Sequence, residues 1–187
     1  MTPSTDPPER VICDSDDVAR TLTRMAHELL ERNHGAEKLL LVGIQTRGVP
    51  LAHRLATLMS ETSGQEVATA QLDITLYRDD LRAHPTRPVG ATRVPTTLED
   101  RTVVLVDDVL FSGRTIVAAL DALKDLPGRP AAVQLAVLVD RGHRDYPISA
   151  DVVGRSVPTA ADERVTVSLV ETDEHDAVTL TRTEATR

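Results

Sequence analysis

Val103-Val104-Leu105-Val106-Asp107-Asp108-Val109-Leu110-Phe111-Ser112-Gly113-Arg114-Thr115 is the stretch on which the reading of this chain turns. Four consecutive apolar residues fit a strand buried on both faces, as in a parallel sheet. Two adjacent carboxylates follow at its exit. A short turn with Ser112, Gly113 and Thr115 then opens a helix, expected over Gly113–Leu123. Free N–H groups at a helix start, joined by two hydroxyls, make a cradle for a phosphate dianion. Gly113 lets the backbone approach closely. Asp107 and Asp108 stand where ribose hydroxyls would lie, because a carboxylate accepts hydrogen bonds from a vicinal diol. One polar element therefore reads a sugar and its 5′-phosphate together.

Two other readings compete. Phosphoacceptor receiver domains also end a strand with paired aspartates, but near the start of the chain and without the Ser-Gly-Arg-Thr turn. A pair serving only as a helix cap is the plainest alternative.

Outward from this segment the pattern alternates strands and helices. Asp14 or Ser15 can cap a helix to about Asn33, with Asp16 and Asp17 in its first turn. Leu39–Ile44 reads as a buried strand, and Pro50 suits the first turn of a helix through about Met59. Val67–Tyr77 reads as a longer strand. Arg78–Pro95 has prolines and charges without periodicity, which predicts a long mobile loop. Ala132–Val139 is another buried strand, and short strands run from Val152 to about Thr181. The alternation implies an α/β fold with a central, mostly parallel sheet flanked by helices. A single domain is expected over residues 11–181. Residues 1–10, with Pro3, Pro7 and Pro8, and residues 182–187 are expected to be tails.

Composition narrows the function. The net charge is −8, which argues against a general nucleic-acid coat but not against a local basic face. Phe111, Tyr77 and Tyr146 are the only aromatic residues, too few for a stacking platform. Cys13 is the only cysteine, so neither an intrachain disulfide nor a cysteine metal cage can form. No apolar run approaches the ~18 residues of a membrane span. A cytoplasmic protein without membrane partners is expected.

Two further strand ends carry polar residues. Gly43-Ile44-Gln45-Thr46-Arg47-Gly48 brackets a polar turn with glycines and supplies a forked cation, Arg47. Leu138-Val139-Asp140-Arg141-Gly142-His143-Arg144 ends the last central strand. Ligands in such sheets bind beyond the carboxyl ends of the strands.

The segment of apolar residues, two acids and a hydroxyl-Gly-x-Thr turn resembles the signature of type I phosphoribosyltransferases. The resemblance narrows to the PyrR family on Asp73-Ile74-Thr75-Leu76-Tyr77-Arg78-Asp79-Asp80-Leu81, on Val106–Leu110 and on Gln134–Arg144. Leu22-Thr23-Arg24, Ala26-His27-Glu28, Val42-Gly43-Ile44 and Thr46-Arg47-Gly48 match it too. It runs from about Val11 to Glu171. PyrR proteins are bacterial pyrimidine-operon regulators that are also uracil phosphoribosyltransferases.

The resemblance implies the type I phosphoribosyltransferase fold, with a small hood and a mobile loop. It implies a glycosyl transfer joining uracil to phosphoribosyl pyrophosphate (PRPP), which yields UMP and pyrophosphate with the help of Mg²⁺. Asp107 and Asp108 would hold the ribose and, indirectly with the substrate, the metal. Val109, Leu110, Phe111, Ser112, Gly113, Arg114 and Thr115 would hold the 5′-phosphate. Thr46, Arg47 and Gly48 would hold pyrophosphate, with Arg78 as a second catalytic cation. Val139, Asp140, Arg141 and Gly142 would face uracil. A strained or cis peptide is implied near Thr46-Arg47. Purine enzymes of this kind carry an Asp where Phe111 stands, and a phenyl ring cannot exchange a proton. Orotate enzymes bring a lysine on the mobile loop, and residues 78–95 contain none.

The first helix raises a second role. At about 100° per residue, Val18, Leu22, Met25 and Leu29 share one face, and Arg20, Arg24 and His27 lie nearly opposite. By pattern alone this is a solvated face, which Glu31 shares. The resemblance makes it part of a surface for pyrimidine-operon mRNA, with Thr23, Arg24, His27, Arg32, Arg141 and Arg144, responsive to UMP or UTP. Homodimers or homotetramers follow from the resemblance alone. A regulator with vestigial catalysis and a salvage enzyme without RNA binding are the alternatives.

Overall fold

Every residue of β2 (Leu39–Ile44) is buried, and its side chains alternate between two cores. Leu39 and Leu41 enter one apolar cluster, while Leu40, Val42 and Ile44 enter the other. Successive strand side chains point to opposite faces, so both faces of this strand are covered. β4 (Thr102–Leu110) and β5 (Ala132–Asp140) divide in the same way: Val104, Val106, Ala136 and Leu138 on one side, Val103, Leu105, Leu135 and Val137 on the other. Full burial of one such aliphatic side chain is worth roughly 1.5–3 kcal/mol. Two apolar layers therefore hold the sheet, and its polar chemistry is pushed to the strand ends.

The computed structural model describes residues 9–77, 92, 94 and 97–182. β3 (Ala68–Leu72), β2, β4, β5 and β6 (Val152–Ser156) form a five-stranded sheet in that order, and all its pairings are parallel. α1 (Ser15–Arg32) and α2 (Gly48–Ser63) pack on one face; α3 (Arg114–Lys124) packs on the other. β1 (Arg10–Cys13), β8 (Ala177–Arg182) and β7 (Glu163–Ser168) form a separate antiparallel hood. This is the type I phosphoribosyltransferase architecture.

Sequence and structure agree on α1, where Asp14 and Asp17 form a reciprocal capping box. Elsewhere boundaries move. α2 starts at Gly48, which puts Pro50 in its first turn as expected, and it continues past Met59 through polar Ser60–Ser63 until Gly64, at φ 69°, caps it in a left-handed turn. The expected strand Val67–Tyr77 is β3 followed by a turn of 3-10 helix over Thr75–Tyr77. The buried Asp73 carboxylate accepts from the Thr75 N–H (2.8 Å) and hydroxyl (2.6 Å), a local bond that bends the chain out of the sheet. β4 runs on to Leu110, so the acidic pair lies inside its span rather than after it. Arg10 and Arg182, assigned to tails from the sequence, are strand residues of the hood. The expected loop Arg78–Pro95 lies outside the described residues apart from Thr92 and Val94, and with it the candidate Arg78.

α2 connects β2 to β3 on one side, and α3 connects β4 to β5 on the other. The strand order therefore reverses between β2 and β4, the crevice where open α/β sheets bind ligands. Gly48 closes the bottom of that crevice. A Cβ there would lie 2.2 Å from the Val106 carbonyl oxygen and 3.4 Å from the Asp107 Cα. Both are backbone atoms, so no side-chain rotation relieves the clash. Gly48→Ala is expected to cost about 1–3 kcal/mol by overpacking, read as a lower midpoint in denaturant unfolding. An unchanged midpoint would refute the contact.

Candidate active site

The crevice opens where the sheet loses a pairing. β2 pairs with β4 only as far as Gly43 opposite Val106, whereas β4 pairs with β5 on to Leu110 opposite Asp140. Asp107 and Asp108 thus sit on a strand edge that faces the Gln45–Gly48 turn. Asp107 is buried and Asp108 half-buried. The Asp108 N–H donates to the Asp107 carboxylate and the Val109 N–H to the Asp108 carboxylate, each at 2.9 Å. These local bonds fix both carboxylates at the seam.

Beyond them the chain turns through Phe111–Gly113 into α3. Gly113 caps the helix at φ 90° and supplies no side-chain bond. The Arg114 N–H reaches the Ser112 hydroxyl at a long 3.4 Å. A helix start of this kind is a position at which anions can bind. The loop after β5 braces this turn: the Ser112 carbonyl accepts from Asp145 N–H (2.9 Å) and Tyr146 N–H (3.1 Å). Arg114 pairs with Asp145 at 3.1 Å and lies over the Tyr146 ring.

Arg144 organises the loop after β5. Its Nη2 pairs with Asp140 at 2.6 Å, its Nε donates to the Ile148 carbonyl at 2.9 Å, and its Nη1 donates to the Phe111 (2.8 Å) and Gly142 (3.0 Å) carbonyls. Arg141 is also turned inward. It donates to the Thr159 hydroxyl (3.1 Å) and the Glu163 carbonyl (2.5 Å), and its guanidinium lies 4.2 Å from the Phe111 ring centre. Burial holds its pKa below the ordinary arginine value, and guanidinium stays charged regardless. Asp140, Arg141, Gly142 and His143 line a cleft of about 340 Å³ with Ser156, Pro158 and Thr159. Val139 is fully buried and offers only backbone.

On the opposite wall the Gln45–Thr46 peptide is cis. Arg47 ends the turn as the residue before α2. Its fork meets Asp173 of the β7–β8 connection in two bonds, Nε–Oδ2 at 3.2 Å and Nη2–Oδ1 at 3.0 Å. Asp173 accepts as well from the Leu169 N–H (3.0 Å) and the Thr172 hydroxyl (2.8 Å). Arg47, then these donors, hold its carboxyl well below the usual range. Arg54, about two α2 turns further on, forks onto both Glu171 and Asp176. Its bonds to Asp176 and Glu171 raise its own pKa and lower both of theirs. Sequence reasoning missed Asp173, Glu171, Asp176 and Arg54. Arg47 and Asp173 are 126 residues apart, so no local pattern links them.

A phosphoribosyl transferase domain matches residues 12–172 of the chain. The chain is 58% identical over 174 residues to the "Bifunctional protein PyrR" of Deinococcus radiodurans, covering 92% of this chain and 94% of that protein. It is 52% identical over 170 residues to the protein of the same name from Clostridioides difficile, covering 90% and 96%. The chain belongs to the PyrR family of phosphoribosyltransferases. Among solved structures, a hypoxanthine phosphoribosyltransferase from Staphylococcus aureus superposes with a TM-score of 0.69 at 17% identity, covering 98% of each chain. That likeness concerns the fold alone.

The residues that the PyrR resemblance assigns to RNA lie on α1 and on the loop after β5. Thr23, Arg24 and His27 are exposed on α1. Arg24 donates to the Val153 (2.8 Å) and Gly154 (2.6 Å) carbonyls and pairs with Glu28. Arg32 pairs with Asp151 at 3.3 Å. These guanidiniums tie α1 to β6, while Arg141 and Arg144 brace the loop beyond β5. No helix among the described residues is long and apolar enough to cross a membrane.

The hood clamp carries a pH dependence. Glu171, Asp173 and Asp176 have folded pKa values below their ordinary ones. Their contribution is complete above the ordinary carboxylate range, near about 4, and is lost as pH falls toward the folded values. Arg54→Met should lower the melting temperature at neutral pH. It should also lose less stability than the parent between about pH 6 and pH 3. Parallel melting curves over that interval would contradict the assignment.

Proposed function

We propose that the chain transfers a phosphoribosyl group from PRPP to uracil, forming UMP and pyrophosphate, and that it binds pyrimidine-operon mRNA in response to uridine nucleotides. One observation carries the catalytic half. The buried carboxylate of Asp107 and that of Asp108 stand at the strand-order reversal, followed directly by the helix start at Gly113. The names of the PyrR relatives support the pairing of two activities.

In this reading Asp107 and Asp108 accept hydrogen bonds from the ribose hydroxyls. The amides and hydroxyls of Ser112–Thr115 hold the 5′-phosphate. Arg47 neutralises pyrophosphate, and Arg78 is a second cation for it. The backbone of Val139–Gly142 reads the uracil edge. The C1′ bond breaks with oxocarbenium character, as in glycoside chemistry. Catalysis is then mostly positioning and charge stabilisation. Phe111, stacked under Arg141, offers no carboxylate to a purine ring. The carboxylate oxygens of Asp107 and Asp108 suit Mg²⁺, a hard cation that takes few protein ligands. No group of three or more His, Cys, Asp or Glu among the described residues could cage it, so substrate oxygens would complete its shell. When bound, it offsets charge on the diphosphate.

Asp107→Asn with Asp108→Asn is expected to abolish most uracil phosphoribosyltransferase turnover. Two neighbouring carboxylates repel unless a ligand relieves them, so the melting temperature should hold or rise. Near-normal turnover in the double variant would end this assignment.

A second reading, phosphoribosyl transfer without RNA binding, is favoured by one observation. Arg24, Arg32, Arg141 and Arg144 all make bonds within the protein. The two readings separate on α1. Arg24→Ala with His27→Ala should weaken binding of a pyrimidine-leader RNA and flatten its salt dependence, with uracil turnover within a few-fold. Affinity equal to that of the parent would leave α1 as a solvated face.

A further inference from the structure

Arg47 is held by a carboxylate at the place where the proposed function needs it for pyrophosphate. Asp173 meets the fork in two parallel bonds, the same geometry a phosphate would use. Both side chains remain about one-third exposed or less, 32% for Arg47 and 27% for Asp173, so a soluble anion can reach and replace the contact. A cleft of about 410 Å³ lined by Thr46 and Thr172 adjoins the pair.

The hood does not depend on Asp173 for its attachment. Arg54 already fastens the same β7–β8 connection through Glu171 and Asp176, at 2.5 to 2.9 Å. Asp173 is also fixed from its own side by the Leu169 N–H and the Thr172 hydroxyl. It therefore stays in place whether or not Arg47 is attached. A fixed anion facing a flexible cation is a competitor for that cation.

We propose that Asp173 is a specificity-determining residue that occupies Arg47 in the resting protein, a contact that the diphosphate of an incoming ligand must displace. The proposal rests on the reading of Arg47 as the pyrophosphate cation. Its consequence is selective. PRPP and pyrophosphate carry a diphosphate and bear the cost of displacement. UMP carries only the 5′-phosphate, binds at the α3 start, and bears none. Asp173 thus shifts the competition between the two ligand classes toward the nucleoside monophosphate.

Calorimetry on the full chain tests this with magnesium pyrophosphate, PRPP and UMP against the parent, Asp173→Asn, Arg47→Ala and the double variant. Asp173→Asn should bind pyrophosphate and PRPP roughly two- to five-fold more tightly, the range set by releasing one exposed ion pair. UMP affinity should not change. In steady state the KM for PRPP should fall and the KM for uracil should stay. In the Arg47→Ala background the Asp173 effect should vanish. If Arg47→Ala binds pyrophosphate as tightly as the parent, the reading of Arg47 itself fails. If Arg47→Ala weakens binding while Asp173→Asn leaves it unchanged or weaker, Arg47 is a ligand and Asp173 merely presents it, which overturns the proposal. An equal change for UMP also overturns it. The parent protein supplies a reading that needs no variant: the Asp173 carboxyl carbon resonance should shift on saturation with magnesium pyrophosphate and not with UMP. A resonance indifferent to pyrophosphate refutes displacement.

Discussion

Gly48 rests against the Val106 carbonyl with no room for a Cβ between them. That backbone contact brings the start of α2 against β4 at the point where β2 stops pairing. The turn that ends in Arg47 and the strand that carries Asp107 are thereby held to one seam. Any side chain larger than hydrogen at position 48 would pry the two apart, because the opposing atoms are main chain. The remaining parts of the site are arranged around this seam. Three residues separate the end of β4 from α3, and the loop after β5 folds back under this turn through Ser112.

The arginines explain how an acidic chain builds polar loops that keep their shape. Arg144 spans Asp140, Ile148, Phe111 and Gly142, and Arg141 spans Thr159, Glu163 and the Phe111 ring. Each guanidinium replaces several backbone bonds that an irregular loop cannot make for itself. A lysine ammonium directs its three donors from a single point and could not span partners this far apart. The loop that faces the proposed uracil site is consequently braced by its own charges. The same economy operates on α1, where Arg24 and Arg32 bind the backbone of β6 and Asp151. Charge patterns that look outward on a helical wheel are, in three dimensions, partly fasteners.

The hood is attached by apolar packing and by ion pairs rather than by sheet hydrogen bonds. β1 and β8 come from opposite ends of the chain and pair antiparallel, apart from the parallel sheet. Their apolar residues Cys13, Val178 and Leu180 join the α1–α2 core, while the β7–β8 connection is drawn down by Arg47 at the start of α2 and by Arg54 within it. Exposed ion pairs contribute little singly, about 0–1 kcal/mol. A contact of that size suits a contact made to be exchanged, and the doubled fork of Arg54 suits one made to persist.

Residue order alone determined the layered α/β fold, because Leu39–Ile44, Val103–Val106 and Leu135–Val139 have the unbroken apolar character of doubly covered strands, and Pro50 and the Ser112–Gly113 turn mark helix starts between them. It also determined the acidic pair and the glycine-hydroxyl turn, since these lie within a few residues of one another and their chemistry is local. The family motifs were legible for the same reason. The bend at Asp73 was not, because Val67–Tyr77 has strand-like composition and only a buried side-chain bond to Thr75 breaks it. The extension of α2 to Ser63 was hidden by polar residues that obey helix geometry without an apolar stripe. The partners of Arg47, Arg54, Arg141 and Arg144 were decided only by tertiary structure. A guanidinium can fork onto any carboxylate or carbonyl brought within reach. Which ones come within reach depends on how the hood and the loop after β5 close over the sheet, a long-range matter that no spacing along the chain encodes.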